Sequence, residues 1–197
     1  NTRDLGGGAE KIAMDLHLSY KALGLNSKFL VGNKRSTLEY VYEIPQSRWY
    51  HRMNHFSQEL QKSKIRGTFR LNELVEKLKT PYLDHARKTG KENYHFPESR
   101  RILQSFQKKM DIFHFHNLHK EYFDLRILPV LSKNKPVLIT MHDQYLYTGH
   151  CAHSFDCDRW KIGCGACPYL DTPPAVEYDN TRFNWSRKKA IFSKSNL

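Results

Sequence analysis

Two histidine-bearing loops and one cysteine cluster hold the residues of this 197-residue chain whose types and spacing suit chemistry. The apolar run Asp111-Ile112-Phe113-His114-Phe115 breaks into His116-Asn117-Leu118-His119, and the run Pro136 to Met141 breaks into His142-Asp143. Imidazole titrates near neutrality, so such a side chain can give or take a proton under ordinary conditions. His142, with Asp143 beside it, is expected to hydrogen-bond or handle a proton on a bound ligand, with His116, Asn117 and His119 lining the same space. His116, His119 and His142 could in principle share a zinc ion. Against that, only Asp143 among the carboxylates stands at ligand spacing, and His114 and His116 are expected on opposite faces of their strand.

Behind His142 comes Cys151-x5-Cys157-x6-Cys164-x2-Cys167, which contains every cysteine of the protein. Four sulfurs fit a closed tetrahedral thiolate site, for which zinc is the usual ion. Cys164 and Cys167 have the tight knuckle spacing, and Gly163 and Gly165 allow the turn. His150 or His153 could replace one cysteine as ligand. Reduced thiols and disulfides are the alternatives. A catalytic metal is not expected, because four sulfur ligands leave no open position for substrate.

The elements that must place these loops can be read from periodicity. Ala9, Ile12, Ala13, Leu16, Tyr20 and Leu23 recur at helical spacing before Gly24. Ser27 to Val31 reads as a short buried strand and Leu38 to Tyr42 as another. Asn1 to Asp4 reads as the tail of a strand whose apolar part would precede residue 1. Helical spacing returns over Leu71 to Leu78 and over residues 99 to 109, with Ser99 as the expected cap. Then come strand 111–115, helix about 122–132 distorted or ended by Pro129, strand 136–141, and a partly buried helix within Asp179 to Ser193. Strands alternating with helices argue a parallel sheet with right-handed crossovers, a doubly wound α/β layer. Ligands bind such sheets beyond the carboxyl ends of the strands, so the two histidine loops should face one crevice. Gly6-Gly7-Gly8 opens the first helix, where free backbone N–H groups suit a phosphate. The spacing matches neither a Walker loop nor the dinucleotide fingerprint, so a plain strand-to-helix turn explains it equally well.

Formal charge is +12 and the isoelectric point about 9.5, which favours anionic partners without choosing among them. Residues 46–110 carry fifteen Lys/Arg against six Asp/Glu. That stretch reads as a mainly helical basic insertion, either a solvated face or a contact for anionic lipid. No apolar run approaches the ~18 residues that cross a bilayer, so the chain reads as cytoplasmic.

The motifs also resemble a known family. Gly7-Gly8-Ala9-Glu10-Lys11, Tyr94-His95-Phe96-Pro97, the run Asp111 to His119, Thr140-Met141-His142-Asp143 and the cysteine segment 148–168 are similar to the N-terminal half of bacterial family 4 retaining glycosyltransferases, in the cysteine-bearing branch that builds surface polysaccharides. The resemblance implies a GT-B enzyme. Residues 1–197 would form its acceptor-side Rossmann-like domain, with a cysteine-rich loop over 148–174. A C-terminal donor-binding domain, absent from this chain, would grip the nucleotide-sugar. It further implies Gly7 and Gly8 under the donor diphosphate, His142 at the reacting sugar, His116 and Asn117 toward a saccharide or lipid-linked acceptor, and no catalytic metal. Lys11 stands where the family more often has Arg, which keeps the charge and loses the bidentate fork. The rival reading is a non-catalytic, zinc-bearing basic binding module. Nucleic acid is a poor partner for it, because the aromatic residues are scattered and no helix-turn-helix or zinc-finger pattern occurs.

Overall fold

The structure, a computed structural model, describes residues 1–45, 52–53, 55–57, 59–60, 71–72, 74–75, 81–119 and 122–197. Among these residues it is a mixed α/β arrangement in which every strand pairing is parallel. Helix α1 (Gly8–Ala22) starts at the glycines, with Gly7 extended at its N-cap, and stops where Gly24 takes a φ of 80°. Its buried face is Glu10, Ala13, Met14 and His17, while Ile12 and Leu23 of the expected apolar stripe are exposed. His17 belongs to the core. Its ring stacks between Phe29 and Tyr40, and Nδ1 meets Ser27 Oγ at 2.7 Å.

Strand β1 (Phe29–Val31) pairs with β2 (Val41–Glu43), and β3 (Phe113–His116) pairs with β4 (Val137–Thr140). A continuous doubly wound sheet was expected; the described strands form these two separate two-stranded sheets. The segment Asn1–Arg3 lies against both. Gly32 and Asn33 donate their N–H groups to the carbonyls of Asn1 and Thr2 at 3.0 Å, Arg3 bridges Asn33 in parallel, and Thr2 Oγ1 donates to the Asn117 carbonyl at 2.9 Å. The glycine-rich start of α1 is thereby tied to the loop that follows β3.

Of the basic stretch 46–110, helix α2 (Pro81–Thr89) and helix α3 (Pro97–Gln107) are described, and Leu71, Asn72, Leu74 and Val75 are helical. The rest of the helix expected over 71–78 lies outside the described residues. Ser99 is not the cap of α3. Phe96 holds that place and Pro97 occupies the first turn, where a missing N–H costs nothing. The Ser99 hydroxyl instead donates to the Phe96 carbonyl and accepts the Asp124 N–H.

The crossover from β3 to β4 is shorter than expected. A 3-10 turn at Leu125–Ile127 runs into helix α4 (Leu128–Ser132), so Pro129 begins this helix instead of ending it. Asp124 caps the turn by accepting the Arg126 N–H, and Leu125, Ile127, Leu128 and Leu131 are fully buried beneath β3 and β4. Helix α5 (Thr181–Phe192) buries Thr181, Asn184 and Lys188, and leaves Phe183 exposed. The buried face of α5 is therefore polar, the reverse of an amphipathic helix docked by its apolar residues. Among the described residues no helix is long and apolar enough to cross a membrane.

Candidate functional site

The parallel register of β3 and β4 sets Phe115 opposite Ile139 and His116 opposite Thr140, so both chains leave the sheet at the same edge. The histidines meet there. His116 Nδ1 lies 2.9 Å from His142 Nε2, with the two rings stacked 5.2 Å apart. His114 stands on the same face as His116, with ring centroids 4.3 Å apart, which corrects the expectation of opposite faces. Strand side chains alternate with period two, so residues i and i+2 share a side. His114 in turn meets Thr140 Oγ1 through Nε2 at 2.7 Å and the Tyr20 hydroxyl through Nδ1 at 3.3 Å.

A second pair closes the edge. His119 Nε2 stands 2.7 Å from Asp143 Oδ2, at an angle outside hydrogen-bond geometry, and Asp143 Oδ1 accepts the Tyr145 N–H at 3.0 Å. Burial pushes the Asp143 carboxyl up, but His119, the Tyr145 N–H and the nearness of His142 outweigh it and hold Asp143 below the usual carboxylate range. Asp143 is thus a fixed negative charge beside His142. Burial, and secondarily His114, lower His116 to about 4, so His116 is a neutral ring at physiological pH. In a neutral pair one nitrogen must donate and the other accept, so the tautomer of His116 dictates that of His142. Asn117 takes a φ of 39°, and its backbone carbonyl receives Thr2 Oγ1 and the Tyr122 hydroxyl, which holds the turn after β3.

Gly7 and Gly8 are exposed at the start of α1. A methyl group at Gly7 would come within 2.7 Å of Glu10 Oε2, whereas Gly8 faces open space. Arg3 and Arg35 approach the backbone of Gly6, and Arg3 also pairs with buried Glu10 at 3.4 Å. Bare N–H groups and two guanidinium groups make this loop suitable for an anion. Thr2 connects it to the β3 edge: its hydroxyl donates to the Asn117 carbonyl at 2.9 Å, with the His119 carbonyl 3.3 Å away. A largely apolar cleft of about 440 Å³ lies between α1, β1, β3 and α3; its walls reach His114 and His116 but not His142 or Asp143.

The four cysteines line one cavity of about 20 Å³ together with Thr148, His150 and Trp160, and all four thiols are free. Burial raises Cys164 to about 11, against the opposing Gly149 N–H and with the other cysteines adding to it. His150 sits at this cavity, with Nδ1 3.1 Å from the Pro174 carbonyl and Nε2 3.4 Å from Cys167 Sγ. His153 does not; it is exposed and packs on Phe155. Among the described residues no three His, Cys, Asp or Glu side chains are placed, as they stand, to hold a metal ion.

Sequence reasoning missed the residue that connects these two regions. Lys188 of α5 is 1% exposed, and its Nζ donates to Glu92 Oε1 at 2.6 Å and to the carbonyls of Tyr145 and Thr148 at 2.7 and 3.1 Å. It also lies 3.7 Å over the Tyr145 ring, which packs edge-on against His119. The available signal was the stripe Thr181, Asn184, Lys188 at spacings of three and four. A polar stripe normally marks the solvent side of a helix, and here it marks the buried side.

Over 88 residues, 41% of this chain, the sequence is 33% identical to the putative colanic acid biosynthesis glycosyl transferase WcaC of Escherichia coli (strain K12). The matched stretch is 22% of that protein, so the chain spans about a fifth of the curated relative it matches. The chain is thus related to a glycosyltransferase of polysaccharide biosynthesis. No family model matches the sequence, and no solved structure matches it.

Proposed function

We propose that this chain is the acceptor-side, Rossmann-like domain of a retaining family 4 glycosyltransferase of the GT-B type, acting in surface polysaccharide biosynthesis. The enzyme transfers a hexosyl group from a nucleotide-sugar to a saccharide or lipid-linked acceptor. The observation that carries this reading is the shared edge of β3 and β4, where His116, His119, His142 and Asp143 converge and where Thr2, shortly before the glycine-rich start of α1, bonds to Asn117, in a chain related to a glycosyltransferase. The segment Asn1–Arg3 between β1 and β3 also suits a doubly wound order, with two parallel pairs flanking a central strand.

In this reading Gly7 and Gly8 receive the donor diphosphate, and Arg3 and Arg35 offset its charge. His142 hydrogen-bonds the reacting sugar, and Asp143 supplies negative charge next to the sugar cation that develops. His116, Asn117 and His119 border the acceptor. The acceptor hydroxyl bonds to the anomeric carbon as the bond to the diphosphate breaks, and the departing diphosphate takes the hydroxyl proton. The protein contributes positioning and charge stabilisation, and no catalytic metal is required. A C-terminal donor-binding domain completes the enzyme. The protein works in the cytoplasm, where its basic 46–110 stretch can rest on the anionic inner surface of the membrane.

The test is a donor screen on the complete enzyme, followed by His142→Ala. Transfer should fall to near zero with far-UV circular dichroism unchanged. An unchanged rate removes His142 from the site, and a coding sequence that stops directly after Leu197 removes the two-domain enzyme.

A further inference from the structure

The proposed transfer makes no use of the four cysteines, yet they are gathered with care. Cys151, Cys157, Cys164 and Cys167 come from a 17-residue loop and line one cavity of about 20 Å³, room for a single ion and no organic ligand. The backbone that brings Cys164 and Cys167 there is unusual. Gly163, Cys164, Gly165 and Ala166 take φ values of 121°, 55°, 88° and 48°, and two of these are not glycine. Side-chain-bearing residues hold such conformations only where their surroundings impose them. Here the Cys167 N–H donates to Asp179 Oδ2 at 2.7 Å, the Gly165 N–H to Thr181 Oγ1 at 2.9 Å, and the Cys164 N–H to the Arg159 carbonyl at 2.8 Å.

Two cations stand at the cavity. Arg159 lines it and the Arg182 guanidinium packs against Gly165, while the Lys188 ammonium is already paired with Glu92 and the Asp179 carboxylate accepts the Cys167 N–H. Four thiolates around a divalent ion carry a net charge of −2, which the two arginines can offset. No sulfur is committed to a disulfide. His150, 1% exposed, is oriented by the Pro174 carbonyl at Nδ1 and borders the cavity at Nε2. It supports the ring of sulfurs without being needed to close it.

We infer that Cys151, Cys157, Cys164 and Cys167 together bind one structural zinc ion that braces the loop following His142-Asp143 against α5. Four thiols release four protons as the ion binds, and no electron moves. The sulfurs now stand around the cavity without converging, so binding draws them inward to Zn–S distances of about 2.3 Å. The brace reaches the histidine edge through short links. The Ala152 carbonyl accepts the Gln144 N–H at 2.9 Å, Gln144 Oε1 accepts the Ser154 N–H, and Gln144 follows Asp143 directly. This inference rests on the cysteine loop alone and stands whether or not the chain serves sugar transfer.

The test begins with metal analysis of protein purified without a histidine tag, where one zinc per chain is expected. Cobalt(II) in place of zinc should give the absorption of a tetrahedral thiolate site, a readout available on the unmodified protein if variants fold poorly. Cys→Ser at each of the four positions should reduce metal content to near zero, and His150→Ala should retain it. Four titratable thiols without metal, a disulfide, or iron as the bound metal would each overturn the inference. So would a cysteine whose replacement leaves the metal in place, or loss of metal on His150→Ala.

Discussion

Replacing Lys188 by Met should cost the protein much of its stability. The ammonium is 1% exposed and bonded to Glu92 Oε1 at 2.6 Å and to two carbonyls, so Met leaves a carboxylate and two acceptors stranded. Removing one partner of a buried, hydrogen-bonded ion pair typically costs about 3–5 kcal/mol. Glu92 Oε2 still receives the Tyr94 hydroxyl at 2.5 Å, which places the expectation toward the lower end. With a urea slope of about 2 kcal/mol per molar, the unfolding midpoint should fall by roughly 2 M. Combining Lys188→Met with Glu92→Gln removes the stranded charge and should recover part of the loss. Equilibrium unfolding followed by tryptophan fluorescence measures both variants. A shift of under about 0.5 M for the single variant would show that the ammonium and carboxylate are not a closed, dry pair, and a double variant no better than the single would show that Glu92 is not the group left stranded.

The depressed titration of His116 has a definite sign. Its folded pKa of about 4 lies below an unfolded value near 6.5, so the unfolded chain binds more protons between those limits and stability falls as pH drops through that window. The contribution reaches at most about 3 kcal/mol near pH 4, and His116→Phe should flatten the pH dependence of the melting temperature there; an unaltered slope would assign it to other groups. Gly149→Ala should destabilise by about 1–3 kcal/mol, since the new methyl group would stand 2.6 Å from the Thr181 carbonyl oxygen and α5 would have to move. Wild-type stability in urea for that variant would mean that the loop and α5 are not in the close contact described.

The parts of the fold that were legible in the sequence are those with a local cause. The spacing of Ala9, Ala13 and Leu16 and the stop at Gly24 located α1, and the apolar runs before His116 and His142 located β3 and β4. Boundaries failed where a tertiary partner changed the local preference. Ser99 has the chemistry of a cap but spends its hydroxyl on Phe96 and Asp124, and Pro129 looks like a helix breaker but sits in the first turn, where it is harmless. The buried face of α5 was not legible because Lys188 is buried by a partner 96 residues away.

The sequence alone determined that His116, His119, His142 and Asp143 follow two apolar strands and that all four cysteines lie in one loop, because these are facts of composition and period. Which groups touch was left to the tertiary structure. The 2.9 Å contact of His116 with His142 joins residues 26 apart through the register of β3 on β4, and a one-residue slip would turn one of them to the other face. The single cavity behind four cysteines likewise depends on Asp179, Thr181 and Arg182, none of which neighbours them in sequence. Local pattern sets where a side chain starts, and only packing decides what it meets.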